Sequence, residues 1–199
     1  FNGFFGPSFG AEDDAIVFHM AAVDHARTLL FEEFVTGHIY SYLLGYFYYF
    51  TTDSLFLGSA LSVLVWLFSA FILVRIMQIL SFDTSSQKTA MLVYVFLPSS
   101  VMYTSITLRE PFELLFVNLA IYSVLKIYCH KSVIHWLILG FSLICMGALH
   151  GALLASAIFI LIGTLFLLTY RNRKSISLVK FLFVAPLIGL SLYYGSLLF

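Results

Sequence analysis

Glu12, Asp13 and Asp14 form an unbroken acidic run in a chain whose later sequence is almost wholly apolar. Seven of its ten carboxylates fall within the first 53 residues, at Glu12, Asp13, Asp14, Asp24, Glu32, Glu33 and Asp53. A carboxylate at the edge of an apolar body, its pKa helped upward by partial burial, is suited to act as a general base. The same acids also suit a simpler role, because an Asp at a helix start caps free N–H groups and complements the helix dipole. Capping explains one acid well and three in a row poorly, and both readings stay open for Asp13 and Asp14.

A second group of polar residues lies in Leu108-Arg109-Glu110-Pro111-Phe112-Glu113. Pro111 fits the first position of a helix, and Glu110 and Glu113 fit its first turn. Arg109 suits either a structural salt bridge with these acids or an anion site, where a guanidinium matches phosphate bidentately. His150 separates two apolar runs and reads either as a polar interface residue or as a ligand contact. His19, His25 and His38 share the acidic segment, but their spacing fits no zinc or metalloprotease signature. His130 and His135 read as loop residues on the opposite side. Two cysteines, Cys129 and Cys145, indicate neither a disulfide framework nor a Cys-based metal site.

The elements that must position these groups are set by hydrophobicity. The chain is 61% hydrophobic and 10% charged, with no net charge, against roughly 25% charged residues in an average soluble domain. That is the composition of an integral membrane protein, and without a basic block it offers no surface for nucleic acid. Apolar runs of about 17 to 25 residues predict spanning helices over Leu55 to Leu80, Thr89 to Leu108, Pro111 to Tyr128, Val133 to Leu149, Ala152 to Tyr170 and Leu178 to Phe199. Pro98 should kink or break the second. Apolar positions at Ile16, Val23, Leu29 and Leu30 predict a one-sided helix after the acidic run. The tyrosine-rich stretch Ile39 to Phe50 is too short to span and should lie in the membrane interface.

The basic residues set the expected orientation. With an extracytoplasmic N-terminal segment, six crossings bring Arg75, Lys88, Lys126, Lys131, Arg171, Arg173, Lys174 and Lys180 to the cytoplasmic side, leaving Arg27 and Arg109 outside. The expected fold is therefore all-α, a polytopic membrane bundle of about six transmembrane helices with extracytoplasmic juxtamembrane helices. Residues 1–53 would form the acidic extracytoplasmic segment and residues 54–199 the bundle. The chain begins with Phe1 and stops within an apolar run at Phe199, so it is expected to be a segment truncated at both ends.

Three stretches, Gly10-Ala-Glu-Asp-Asp-Ala-Ile-Val-Phe-His19, Tyr42-Leu-Leu-Gly-Tyr-Phe-Tyr-Tyr-Phe50 and Pro98-Ser-Ser-Val-Met-Tyr-Thr-Ser-Ile-Thr-Leu-Arg-Glu110, carry a resemblance. In this order they resemble the GT-C membrane glycosyltransferases, among them the bacterial relatives of protein mannosyltransferases and of the aminoarabinose lipid A transferase. The resemblance implies a catalytic acid in the first outer loop, two juxtamembrane helices after it, and a sugar on a polyprenyl phosphate as donor. It implies Asp14 as the catalytic base with Asp13 as its rival, Glu110 as the acid of the second outer loop, and Arg109 near the donor phosphate. His150 stands where the family often has a basic residue, and Glu12 joins it on the substrate side. The acceptor would be a hydroxyl or amine of a lipid, glycan or protein, at the outer face of a bacterial inner membrane. The resemblance fixes no cofactor, and a divalent cation, Mg or Mn, is compatible with the acids.

Sugar transfer from a phosphate asks for a base at the acceptor and positive charge at the departing phosphate, and both residue types are present. Two other classes compete. An O-antigen polymerase or ligase would need outer arginines and a large outer loop, whereas the loops after residue 54 are short. A non-catalytic scaffold subunit of a membrane complex would tolerate loss of the acids. A transporter fits less well, because ionisable residues inside the spans are scarce.

Overall fold

The computed structural model describes residues 14–28, 39–97, 109–130 and 132–170. Among them the chain is all-helical, with seven helices and no strand: α1 (Asp14–Thr28), α2 (Ile39–Phe50), α3 (Leu55–Ile79), α4 (Thr84–Phe96), α5 (Glu110–His130), α6 (Ile134–Leu149) and α7 (Gly151–Tyr170). Three of them, α3, α5 and α7, are long and apolar enough to cross a membrane. α6 is apolar but has 16 residues, fewer than the ~20 that span hydrocarbon upright.

One expected span comes out differently in its described part. The second begins earlier than its apolar run, at Thr84, and its described helix ends after 13 residues at Phe96. Leu97 is already extended, with φ −60° and ψ 126°, as the steric demand of the following Pro98 ring requires. The last expected span, Leu178 to Phe199, lies outside the described residues. His130 and His135 are not loop residues: they close α5 and occupy the first turn of α6, because the apolar pattern runs on to the connection.

The turn between α3 and α4 is built from local hydrogen bonds. Ser81 takes a left-handed φ of 59°. Its N–H donates to Gln78 O at 3.1 Å and that of Phe82 to Met77 O at 3.0 Å, the paired bonds of a Schellman cap. Asp83 then caps α4, accepting from the Ser86 N–H at 3.0 Å and its hydroxyl at 2.6 Å. These donors hold the Asp83 carboxyl below its ordinary range.

Helix order follows from side-chain contacts. Asn118 of α5 donates to Ser69 Oγ of α3 at 2.9 Å, and Leu61 and Phe112 share one apolar cluster nearer the helix starts. α3 and α5 therefore run in parallel, α4 turns back along α3 with Tyr94 stacked on Trp66, and α6 is antiparallel to α5. Buried Ser62, Ser69, Ser123 and Ser142 are small residues that let helix backbones approach. One core, around Ala120, Val124, Ile127, Leu139 and Met146, joins α5, α6 and α7. The other, around Ala22, Tyr40, Leu44, Tyr48 and Leu149, fastens α1 and α2 to one end of the bundle. The starts of α3, α5 and α7 lie at that end. Phe68, Phe71, Leu137, Ile144 and Ile162 remain exposed on the bundle's outside.

α1 and α2 pack closely because position 45 lacks a side chain. A Cβ there would stand 2.8 Å from His25 Cδ2 and 2.9 Å from the Ala22 carbonyl oxygen. The backbone oxygen cannot rotate away, so Gly45→Ala is expected to prise the hairpin apart at a cost of about 1–3 kcal/mol. Proteolysis within residues 14–50 should accelerate in that variant while cleavage of the α5–α6 connection stays unchanged.

Candidate functional site

The α1–α2 hairpin covers the end of the bundle where Arg109, Glu110, Glu113 and His150 meet. Arg109 immediately precedes α5, and its carbonyl accepts from the N–H groups of Phe112 and Glu113 at 3.0 and 3.1 Å. Its side chain turns to Glu113 one turn on, with Nε 3.3 Å from Oε1. His150, between α6 and α7, brings Nδ1 to 3.5 Å from the same oxygen. Arg109 and Glu113 side chains are 21% and 15% exposed, so this ion pair is largely shielded from solvent. Its geometry is nevertheless poor: neither Arg109 Nε nor Glu113 Oε1 makes a hydrogen bond among the described residues.

Aromatic side chains connect this cluster to α1. The Arg109 guanidinium carbon sits 5.6 Å from the centre of the Phe18 ring, a cation–π distance. Phe18 meets Tyr40 edge-on at 5.3 Å, and Tyr40 meets Phe112 in the same way at 5.6 Å. Tyr40 is fully buried. Burial pushes its hydroxyl pKa far above the ordinary value, Glu110 adds to the rise, and Ser62 opposes it.

His150 titrates below its ordinary value, first because burial penalises the charged ring and second because Arg109 repels it, with Glu110 acting the other way. Its approach to Glu113 does not reverse this, since Arg109 is nearer to that carboxylate. His150 is therefore neutral at pH 7 and offers one ring N–H rather than a full charge.

Of the residues singled out from sequence, Arg109, Glu110 and His150 come together. Asp14 is the first residue of α1, one turn before Phe18. Glu12 and Asp13 lie outside the described residues. Arg109 forms the salt bridge that was one of its two readings, with Glu113 rather than Glu110. The histidines of the acidic segment go elsewhere: His19 Nδ1 lies 2.9 Å from the Tyr48 hydroxyl, and His25 is buried between the rings of Tyr42 and Tyr46. His38 lies outside the described residues. Among those described, no three His, Cys, Asp or Glu side chains gather as a metal site.

Glu113, Phe18 and Tyr40 were missed as site residues. The spacing of Arg109 and Glu113, four apart at a helix start, signals an ion pair, whereas nothing local reveals that Phe18 would reach Arg109. Compared with protein-family models, with curated proteins and with solved structures, the chain matches none.

Proposed function

We propose that this chain is the membrane-embedded core of a glycosyltransferase of the GT-C kind, moving a sugar from a polyprenyl phosphate to a hydroxyl or amine. The observation that carries the reading is the contact of Phe18 with Arg109. It brings the start of α1 to within about one helical turn, ~6 Å along the axis, of an aromatic ring in contact with Arg109. Base and phosphate-holding groups would then share one end of the bundle.

In this reading the acceptor oxygen or nitrogen attacks the anomeric carbon and gives its proton to Asp14. The bond from that carbon to the phosphate oxygen breaks, and the phosphate leaves with the electron pair. Arg109 and the neutral ring N–H of His150 would hold the departing phosphate, and the N-termini of α5 and α7 favour negative charge at the same end. The bundle would cross a bacterial inner membrane about six times with this end outside. Its test is reconstitution with a polyprenyl-phosphate sugar: release of polyprenyl phosphate with sugar on an acceptor is expected. Binding of the lipid without release, across sugar headgroups, would count against it.

A second reading, a scaffold subunit, is favoured by the Arg109–Glu113 pair, because a salt bridge already made can simply hold a helix start in place. There the acids are dispensable and no donor binds.

Orientation is open to a separate check. Cys129 is exposed at the far end of α5, and Thr52 is exposed at the site end. In intact cells of a Thr52→Cys variant, an impermeant thiol reagent should label position 52 and spare Cys129. The reverse pattern would place the site on the cytoplasmic face and remove the lipid-linked donor from reach.

A further inference from the structure

The geometry points to Glu113 as an internal stand-in for the phosphate of the substrate, displaced when a phosphate headgroup binds; this rests on the function proposed above. Two donors from separate parts of the fold, Arg109 Nε at the start of α5 and His150 Nδ1 at the α6–α7 junction, converge on one carboxylate oxygen at 3.3 and 3.5 Å. A salt bridge built for stability is made differently. Charge-assisted N–H···O contacts close to about 2.7–2.9 Å, often in a bidentate fork, and a shielded pair that falls short of that geometry does not recover its desolvation cost. Here both Arg109 Nε and Glu113 Oε1 are buried without a hydrogen bond among the described residues. Such unsatisfied groups are uncommon in folded proteins and ask for a reason.

A phosphate supplies that reason. Its tetrahedral oxygens can meet Arg109 and His150 together, which a single carboxylate oxygen held on the same helix as Arg109 does at longer range. Glu113, on a flexible side chain, can swing aside. Until then it satisfies the positive charge of Arg109 and shields the site from weakly binding anions. The site would thus select ligands with enough phosphate charge to displace a carboxylate. The Phe18 ring lies 5.6 Å from the guanidinium carbon and leaves the Nε edge to the anion.

The experiment compares Glu113→Gln with Asp53→Asn in the intact protein, using polyprenyl monophosphate in nanodiscs and inorganic phosphate in solution as separate probes. Each variant removes one negative charge from the same end of the bundle, Asp53 being paired with Arg27 away from the cluster, so a general charge effect would help both. Displacement predicts that Glu113→Gln tightens phosphate binding at least about tenfold, the scale of one charge-assisted contact, while Asp53→Asn changes it by less than about threefold. A gain confined to the nanodisc arm identifies a lipid headgroup; a gain in both arms identifies the phosphate group itself. Equal gains from both variants, or none, overturn the proposal. Should Glu113→Gln fail to fold, Glu113→Asp keeps the charge and shortens the reach, and it should still tighten binding. If that variant also fails to fold, Glu113 is a structural anchor and the proposal is wrong. Tighter phosphate binding without sugar transfer by the wild type would keep this inference and discard the transferase. Intact transfer with no gain in Glu113→Gln would do the opposite.

Discussion

Asp14→Asn is expected to lower sugar transfer by about 10²- to 10⁴-fold, the usual contribution of a positioned general base, while donor binding and folding stay near wild type. Asn keeps the size of Asp and caps a helix about as well, so a residue whose task is capping would survive the change. The position of Asp14 favours the catalytic outcome. It opens α1, one turn from the ring that lies on Arg109, at the end of the bundle where α5 and α7 also begin. The measurement is single-turnover transfer from a polyprenyl-phosphate sugar, paired with donor binding and a melting curve. Asp13→Asn serves as the neighbouring control. If both variants transfer sugar at near wild-type rates, the base has been misassigned and the scaffold subunit becomes the better account.

Hydrophobic runs made most of the helices legible. Ile39–Phe50 emerged over the same residues that its tyrosine-rich pattern marks, since Gly37 and His38 precede it and Thr51, Thr52 and Asp53 follow it. α3 and α7 begin within a residue of their expected starts. α4 was less legible because polar residues can extend a helix beyond its apolar run: Thr84, Ser85, Ser86 and Gln87 are helical on the strength of the Asp83 cap. The number of crossings is harder to read. α6 and α4 fall short of a full span by length, and residues before and after them decide whether they cross.

The site was legible as a set of residue types and not as a set of contacts. Arg109, Glu110 and His150 stood out as polar groups at junctions between apolar runs, and junctions at one end of a bundle meet whenever helices alternate in direction. Glu113 looked like an ordinary acid in a helix's first turn, and its pairing with both Arg109 and His150 depends on how α5 rotates against α6. Phe18 and Tyr40 were invisible as site residues because an aromatic ring on an apolar face is normally core. Their role follows only from the hairpin's seat on the bundle, which is a long-range packing outcome.

Arg109→Ala tests the phosphate contact, but alone it is ambiguous. The variant should weaken binding of a polyprenyl-phosphate sugar by about 1.5–3 kcal/mol, the worth of a charge-assisted contact, which is roughly 10- to 150-fold in Kd. It also strips Glu113 of its cation, and a carboxylate left buried costs up to ~3–5 kcal/mol when burial is complete. The residual exposure of 21% and 15% across the pair puts the expected loss of stability below that range. Both losses therefore appear together, and their coincidence says nothing about which role Arg109 serves. The double variant Arg109→Ala/Glu113→Gln separates them, because no orphaned charge remains. Its stability should return most of the way to wild type, while donor binding stays well below that of Glu113→Gln alone. Arg109→Lys adds a second axis: it keeps the charge for Glu113 but loses the planar fork that matches phosphate, so it should melt near wild type and still bind donor poorly. Should the double variant bind the donor as well as Glu113→Gln alone, Arg109 holds a helix start rather than a phosphate, and the proposed chemistry would have no group to receive its leaving anion.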